Sequence, residues 1–70
     1  MKFSAPAMRR ERIKHGWSVA DLQRRLVLIG YEVTQEAVAK WDNGQIPNPG
    51  ANGVAHLARV FRVKQERLFT

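Results

Sequence analysis

The sequence predicts an all-α fold of five short helices in one small domain. The chain has 70 residues, the size of a single domain, so residues 1–70 are expected to fold as one unit. Helix-start signals recur, each with an apolar residue before a capping residue and another four positions after the cap. No stretch of useful length alternates apolar and polar residues as a half-buried strand does.

Helix 1 is predicted at about residues 5–15. Phe3 precedes the capping residue Ser4, and Met8 lies four positions after that cap. Such an apolar pair, the hydrophobic staple, fixes the angle at which the chain enters a helix. Gly16 is the predicted end, since glycine adopts the backbone conformation that terminates helices.

Helix 2 is predicted at about residues 18–29. Ser18 is the expected cap, Asp21 lies where a capping box needs a carboxylate, and Gly30 is the expected stop. One apolar stripe runs along this helix at helical spacing. Its members are Val19, Leu22, Leu26 and Ile29.

Helix 3 is predicted at about residues 34–41, with Thr34 as its cap and Val33 and Val38 as its staple. Asn43 and Gly44 follow as a turn signal, and Gly44 allows a positive φ there.

Helix 4 is predicted at about residues 51–61, followed by a short fifth helix that Val63 and Leu68 indicate. The inward residues of helix 4 are expected to be Val54, Leu57, Ala58 and Phe61. Its start is weakly specified, and the open candidates for the cap are Asn48, Gly50 and Asn52. The fifth helix has a poor cap in Lys64.

The charge balance points to a polyanionic partner. Twelve Lys and Arg residues outnumber six Asp and Glu, for a formal net charge of +6. Nucleic acid is the first candidate and an anionic membrane surface the second; a surface kept soluble by its charge is the alternative. No apolar run approaches the length of a membrane span, no secretory signal pattern opens the chain, and cysteine is absent. We therefore expect a cytoplasmic protein.

Helix 3 has two unlike faces. Ala37, Val38 and Trp41 share one side at 100° per residue. The opposite side carries Gln35, Glu36, Ala39 and Lys40. An amide, a carboxylate, a methyl and an ammonium group are suited to the edges of base pairs in the DNA major groove. The alternative is an ordinary polar face turned to water.

Helix 2, a turn and helix 3 make a helix-turn-helix pattern. The residues that carry a family resemblance are Gly16, Trp17, Ser18 and Leu22, then Val33, Thr34, Gln35, Ala37, Val38, Lys40, Trp41, Asp42, Asn43 and Gly44, then Pro49, Leu57, Ala58, Phe61, Val63 and Leu68. With these the chain resembles the phage-repressor and Cro-like helix-turn-helix family, the XRE group, over about residues 8–69. The resemblance implies a lambda-repressor-like domain.

The resemblance also implies roles for individual residues. Helix 3 becomes the recognition helix, in which Gln35, Glu36 and Lys40 meet bases and Thr34 caps the helix near the phosphates. Ser18 and Asn43 match positions that contact phosphate. Arg12 matches an arginine that bonds the acidic residue ending helix 3, here Asp42, and that lies near the DNA backbone. From their charge alone, Arg9 and Arg10 are further phosphate candidates, with plain solvation as the alternative.

The chain departs from the family pattern in three places. Val19 and Gln23 replace the glutamine and the small residue that the family commonly has there. The turn between helices 2 and 3 is about five residues longer than in the compact form. These departures put one phosphate contact, the packing of helix 2 and the angle of helix 3 in question.

We expect a sequence-specific regulator of transcription that binds double-stranded DNA as a homodimer and acts as a repressor. One helix reads too few base pairs to select a site alone, which favours a dimer on two half-sites. The candidate dimer interface is Val63, Leu68 and Phe69, unless these residues simply close the core. The alternative function is a protein-interaction module, an antirepressor or adaptor, on the same fold without sequence-specific DNA binding. A basic amphipathic element on an anionic membrane is a third reading, which the well-capped helices disfavour.

Other residues suggest little chemistry. No paired carboxylates, cysteines or glycine-rich loop favour catalysis, and His15 and His56 lack carboxylates at metal-ligand spacing, so we expect no enzyme, metal, cofactor or small-molecule substrate. Trp17 and Trp41 are interpreted as core residues rather than stacking platforms for bases. An apolar cluster at the long turn is either core, which we favour, or a partner surface; its members are Leu28, Ile29 and Tyr31.

Overall fold

A computed structural model describes residues 2–70 and gives four α-helices followed by one short 3-10 helix in that range. The elements are α1 (Ala5–Lys14), α2 (Val19–Leu28), α3 (Gln35–Asp42), α4 (Gly50–Phe61) and the 3-10 helix (Gln65–Leu68). The predicted all-α class is confirmed. The predicted starts and ends of the four α-helices agree with the observed bounds within about one residue.

The three predicted N-caps of the first three helices are all present. The Ser4 hydroxyl accepts a hydrogen bond from the backbone N–H of Ala7 at 3.1 Å. The Thr34 hydroxyl accepts one from Ala37 at the same distance. At α2 the capping box is complete, because Ser18 and Asp21 each accept from the backbone N–H of the other. Each bond satisfies an N–H group that the first turn of a helix leaves without a partner.

The start of α4 differs from all three sequence candidates for its cap. Pro49 occupies the cap position and makes no side-chain bond to the helix. The side-chain oxygen of Asn48 accepts from the N–H of Gly50 at 2.8 Å, so Asn48 forms a turn just before the helix.

The predicted short fifth helix is present as a 3-10 helix rather than as an α-helix. Residues 65–68 make one 3-10 helix, and Lys64 gives it no side-chain cap. After Leu68 the chain becomes extended, and Phe69 forms an isolated antiparallel bridge with Phe3. Four residues between Lys64 and this bridge are too few for a regular α-helix, and 3-10 geometry suits such short pieces.

The core gathers one apolar stripe from each helix. Leu22 and Leu26 of α2 are fully buried, as the stripe predicted, while Val19 and Ile29 are half-buried at its ends. The four inward residues predicted for α4 are all buried. The other buried apolar residues are Phe3, Ala7, Met8, Val38, Trp41 and Leu68. The core therefore lies among all four α-helices and the 3-10 helix.

The apolar cluster at the long turn divides between the core and the surface. Tyr31 packs against the core and stacks on His56 with ring centroids 4.4 Å apart, and His56 is half-buried. Leu28, which we favoured as core, is 81% exposed. It lies two residues from Leu26, or about 200° around the helix, and so faces away from the core.

The two ends of the described chain lie side by side. Ser4 donates to the Leu68 carbonyl at 2.8 Å, and Thr70 donates to the Lys2 carbonyl at 2.9 Å. The ring of Phe3 meets the ring of Phe69 edge to face at 6.3 Å. Within residues 2–70, the helices are all too short or too polar to cross a bilayer.

Gly53 gives the first testable prediction. A Cβ atom at this buried position would lie 2.8 Å from the Pro49 Cβ, closer than real Cβ atoms approach, and 3.4 Å from the Tyr31 hydroxyl. Gly→Ala inside a helix ordinarily stabilises by about 1 kcal/mol. We expect Gly53→Ala instead to lower the free energy of unfolding by about 1 kcal/mol, because the crowded atoms must move.

Urea denaturation followed by circular dichroism measures this change. The matched control is Asn52→Ala, an exposed position in the same helical turn, which should stabilise by about 0.5 kcal/mol. Stabilisation by Gly53→Ala would contradict the close approach of α4 to Pro49.

Candidate nucleic-acid interface

The outer face of α3 carries the residues that the sequence predicted for base reading. Gln35 and Glu36 are exposed, Lys40 leaves 43% of its side chain exposed, and Ala39 is half-buried. On the opposite side Val38 is fully buried and Trp41 is 5% exposed. The helix therefore rests on the core along one stripe and leaves an amide, a carboxylate and an ammonium group on its free side.

Two of these groups are paired with each other. The Lys40 ammonium lies 3.8 Å from a carboxylate oxygen of Glu36, one helical turn away. The pair is exposed, so it contributes little to stability. It does reduce the positive charge that this face offers to an approaching anion.

The C-terminal end of α3 is held by a buried ion pair. Asp42 is 6% exposed, and its carboxylate accepts from the Arg12 side chain at 3.0 Å and 3.3 Å. The same carboxylate accepts from Arg9 at 3.3 Å, and the Asp42 carbonyl accepts from Arg9 at 2.9 Å. We call these three residues the Asp42 clamp. It joins two side chains of α1 to the last residue of α3.

The sequence missed one partner of the Asp42 clamp. Arg9 was predicted as a phosphate contact only, yet it lies three residues before Arg12, on the same face of α1. That spacing was the available signal. Arg9 remains 49% exposed, whereas Arg12 is 15% exposed and also donates to the Trp17 carbonyl at 2.8 Å. Of the two arginines, Arg9 has the more exposed side chain and is the better candidate for a phosphate contact.

The other predicted phosphate contacts lie on the surface, at the starts of α2 and α3, just after α3 and on α1. The hydroxyls of Ser18 and Thr34 accept from their own helices, and both residues are exposed. Asn43 is exposed, and its side-chain oxygen accepts from the backbone N–H of Gln45 at 2.9 Å. Gly44 has the expected positive φ, +82°. Arg10 is exposed on α1.

A hydrogen bond that the sequence did not reveal holds the long turn between α2 and α3. Gln23 donates from its side-chain amide to the Val33 carbonyl at 2.9 Å. Gln23 is one of the residues that depart from the family pattern, and it was expected to loosen the packing of α2. Its bond instead fixes the residue that precedes the cap of α3.

A second buried carboxylate links α1 to the 3-10 helix. Glu11 is 5% exposed and lies 3.5 Å from the guanidinium of Arg67. This pair lies outside the predicted sites, and no spacing rule connects two residues so far apart in sequence. Together with the Asp42 clamp, it places both buried acidic side chains against arginines.

The predicted dimer interface is partly inside the monomer. Leu68 is fully buried and closes the core, so it offers no surface to a second copy in this conformation. Val63 and Phe69 are half-buried and pack against the core from outside. Only these two residues of the predicted interface have exposed apolar surface.

The two tryptophans both pack within the fold. Trp41 is buried, and Trp17 packs against the core between two other groups. The Trp17 ring stacks on Phe61 with centroids 6.0 Å apart, and the Arg25 guanidinium lies 4.3 Å from its centroid. Trp41 is thus a core residue, as predicted, whereas Trp17 packs against the core and stays half-buried.

Known proteins add no family assignment to this geometry. No family model, no curated protein and no solved structure matches the chain. The interpretation of the site therefore depends on its own residues, contacts and charges.

The Asp42 clamp generates a stability prediction. Asp42→Asn should lower the free energy of unfolding by about 3 kcal/mol, because it removes the charge that compensates the mostly buried Arg12 guanidinium. Glu36→Gln, which breaks an exposed pair on the same helix, should change it by less than about 0.5 kcal/mol. Urea denaturation of both variants measures the difference.

The double variant Arg12→Gln/Asp42→Asn provides the control for coupling. The double variant should lose clearly less free energy of unfolding than Arg12→Gln and Asp42→Asn lose in sum, as expected for residues in direct contact. Additive losses would mean that the two residues act independently.

The capping box of α2 generates a pH prediction. The Ser18 backbone N–H, the Ser18 hydroxyl and the Arg24 guanidinium favour the ionised carboxylate and lower the pKa of Asp21 from its usual 3.8. The folded pKa therefore lies below the unfolded pKa. The stabilisation is complete above pH 3.8 and is lost as the pH falls through the lower, folded value.

We expect the difference in melting temperature between the parent chain and Asp21→Asn to shrink as the pH falls below 3.8. Thermal denaturation across the acidic range measures it. A difference that stays constant across this range would contradict an ionised capping carboxylate.

Proposed function

We propose that the chain is a sequence-specific regulator that binds double-stranded DNA, of the repressor type and similar to the phage-repressor and Cro-like helix-turn-helix family. In this proposal α3 enters the major groove. The observation that supports it most is the free face of α3, where Gln35, Glu36 and Lys40 lie side by side on a helix that the core and the Asp42 clamp hold in place.

The chemistry of this face suits base edges. The Gln35 amide can pair bidentately with adenine, and the Glu36 carboxylate can accept from the cytosine amino group. The Ala39 methyl suits the methyl group of thymine. Lys40 reaches guanine only after its ammonium leaves Glu36, 3.8 Å away. The proposed reader is thus a mixed face rather than a cationic one.

Phosphate contacts supply most of the affinity in this proposal. The net charge of +6 provides the long-range attraction. Arg9 and Arg10 on α1, Ser18 and Thr34 at the helix starts and Asn43 after α3 are the proposed contacts. Arg12 contributes mainly by holding Asp42.

The proposed regulator acts as a homodimer on two half-sites about one helical turn apart. One eight-residue helix reads too short a sequence to select a site by itself. Val63 and Phe69 are the residues of the predicted interface that can contact a second copy, with Leu68 supporting them from the core.

The second candidate function is a protein-interaction module, an antirepressor or adaptor on the same fold. The ion pair between Glu36 and Lys40 favours it, because a nearly neutral face attracts phosphates weakly.

The salt dependence of binding to random duplex DNA separates the two candidates. For the regulator, log K should fall by about 0.9 per neutralised phosphate for each log unit of salt. No binding at low salt would favour the interaction module.

The base-reading role is tested after selecting preferred sites from a random duplex library. Gln35→Ala should reduce affinity for the selected site, costing about 1–3 kcal/mol at one base position, while binding to random DNA stays the same. Arg10→Ala should weaken selected and random DNA alike, since phosphates carry no sequence. Fluorescence anisotropy with labelled duplexes measures both.

The matched control is Gln65→Ala, an exposed glutamine on the 3-10 helix, which should alter neither affinity. Equal losses on selected and random DNA from Gln35→Ala would refute α3 as the reader. Failure to select any preferred sequence would refute sequence-specific binding.

A further inference from the structure

A basic and apolar cavity lies where the C-terminal halves of α2 and α4 meet the turn between α1 and α2. Its volume is about 550 Å³, within the range of ligand and side-chain pockets. Arg25 and Leu28 of α2, Arg59 and Val60 of α4, and Arg62 just after α4 line it, with Trp17 as part of its wall. None of these residues belongs to the proposed DNA-reading face.

The cavity carries positive charge without compensation by its own lining. Three arginines and a histidine face it, and the lining residues include no carboxylate. All three arginines are exposed. A ligand with negative charge would therefore complement this lining.

The cavity lining also has an apolar part, which suits an apolar group on the ligand. Leu28 is 81% exposed, the most exposed large apolar side chain among the described residues. Val60 is half-buried beside the aromatic wall. Trp17 is held in that wall by Phe61 and by the Arg25 guanidinium. Covering Leu28 takes an apolar group that enters the cavity from outside.

Arg62, one of the residues that line the cavity, has an unusual backbone conformation. With φ 59° and ψ 45° it is the only non-glycine residue with positive φ in residues 2–70. Glycine commonly occupies this position after a helix, since it adopts the left-handed conformation without strain. The chain instead places an arginine here, at the rim of a site that already carries two others.

We propose that this cavity binds an acidic segment of a partner protein, with an apolar side chain of the segment against Leu28 and Val60 and flanking carboxylates on the arginines. An apolar centre with a charged rim is the usual composition of a protein interface. DNA phosphates would satisfy the arginines but would leave Leu28 uncovered. A second copy of the chain would bring arginine against arginine across a two-fold axis, which like charges oppose.

The proposal is independent of DNA binding and is tested on the whole 70-residue chain. The probe is a fluorescein-labelled peptide in which glutamates flank leucines at helical spacing. One control peptide replaces each glutamate by glutamine, and the other replaces each leucine by serine. We expect saturable binding of the first peptide alone, measured by fluorescence anisotropy. Absence of binding, or equal binding of either control peptide, would overturn the proposal.

Three variants locate the binding. Arg62→Gly removes a charge and places glycine at a left-handed backbone position, so the variant should fold at least as well as the parent. It should bind the peptide about tenfold more weakly. Leu28→Ser should weaken it similarly, with little effect on folding because Leu28 is exposed. Lys64→Gln, which removes an exposed charge outside the cavity, should leave the peptide affinity unchanged.

The alternatives to an acidic peptide segment each lead to a different result in these experiments. An equal loss of peptide affinity in Lys64→Gln would mean general charge attraction and would overturn the proposal. Weaker binding to duplex DNA in Arg62→Gly, with unchanged peptide affinity, would assign the cavity to phosphates instead. Loss of a dimer in Leu28→Ser, detected by analytical ultracentrifugation, would assign it to a second copy.

Discussion

The position of α3 depends on the ion pair between Asp42 and two arginines of α1. Apolar packing holds only one stripe of this eight-residue helix, through Val38 and Trp41, and a single stripe leaves some freedom to slide and rotate. Bonds from Arg9 and Arg12 to the last residue of the helix remove much of that freedom, because a bidentate guanidinium sets direction as well as distance. The Gln23 bond to the Val33 carbonyl restrains the start of the same helix. The exposed face of α3 is therefore held in position at both ends of the helix, by side chains that belong to α1 and α2.

This arrangement separates the residues that support α3 from those that the proposed function uses. Exposed residues such as Gln35 contribute little to folding, so under the proposed function they can vary with the DNA sequence that the chain binds. The Asp42 clamp and the core cannot vary so freely. The cavity beside Trp17 lies on other elements, so the proposed peptide site and the proposed DNA-reading face use different side chains. If both proposals hold, one small chain binds two partners of the same charge, which the large exposed apolar side chain of Leu28 at the cavity distinguishes.

Local signals predicted most of the fold, and most contacts between distant residues were missed. The exception is the pair of Arg12 and Asp42, which the family resemblance implied. The caps Ser4, Ser18 and Thr34 act within three residues, so their pattern is visible in the chain. The pair of Glu11 and Arg67 and the bond from Gln23 to Val33 depend on tertiary geometry, which no local spacing encodes. The fifth helix formed as a 3-10 helix because only four residues separate Lys64 from the bridge between Phe3 and Phe69. At the candidate site, the polar face of α3 was readable from helical periodicity. The exposure of Leu28 was readable in the same way, because Leu28 lies off the apolar stripe of α2, whereas the burial of Leu68 depends on tertiary packing.

The hydrogen bonds between Lys2 and Thr70 bring the two ends of the described chain together. Because the ends already touch, a short linker could join them with little loss of chain entropy and without disturbing the core. New termini could then be opened in the exposed loop between α3 and α4, around Gln45 and Pro47. The order of the helices along the chain is thus separable from their order in space, and a circularly permuted molecule should reach the same architecture.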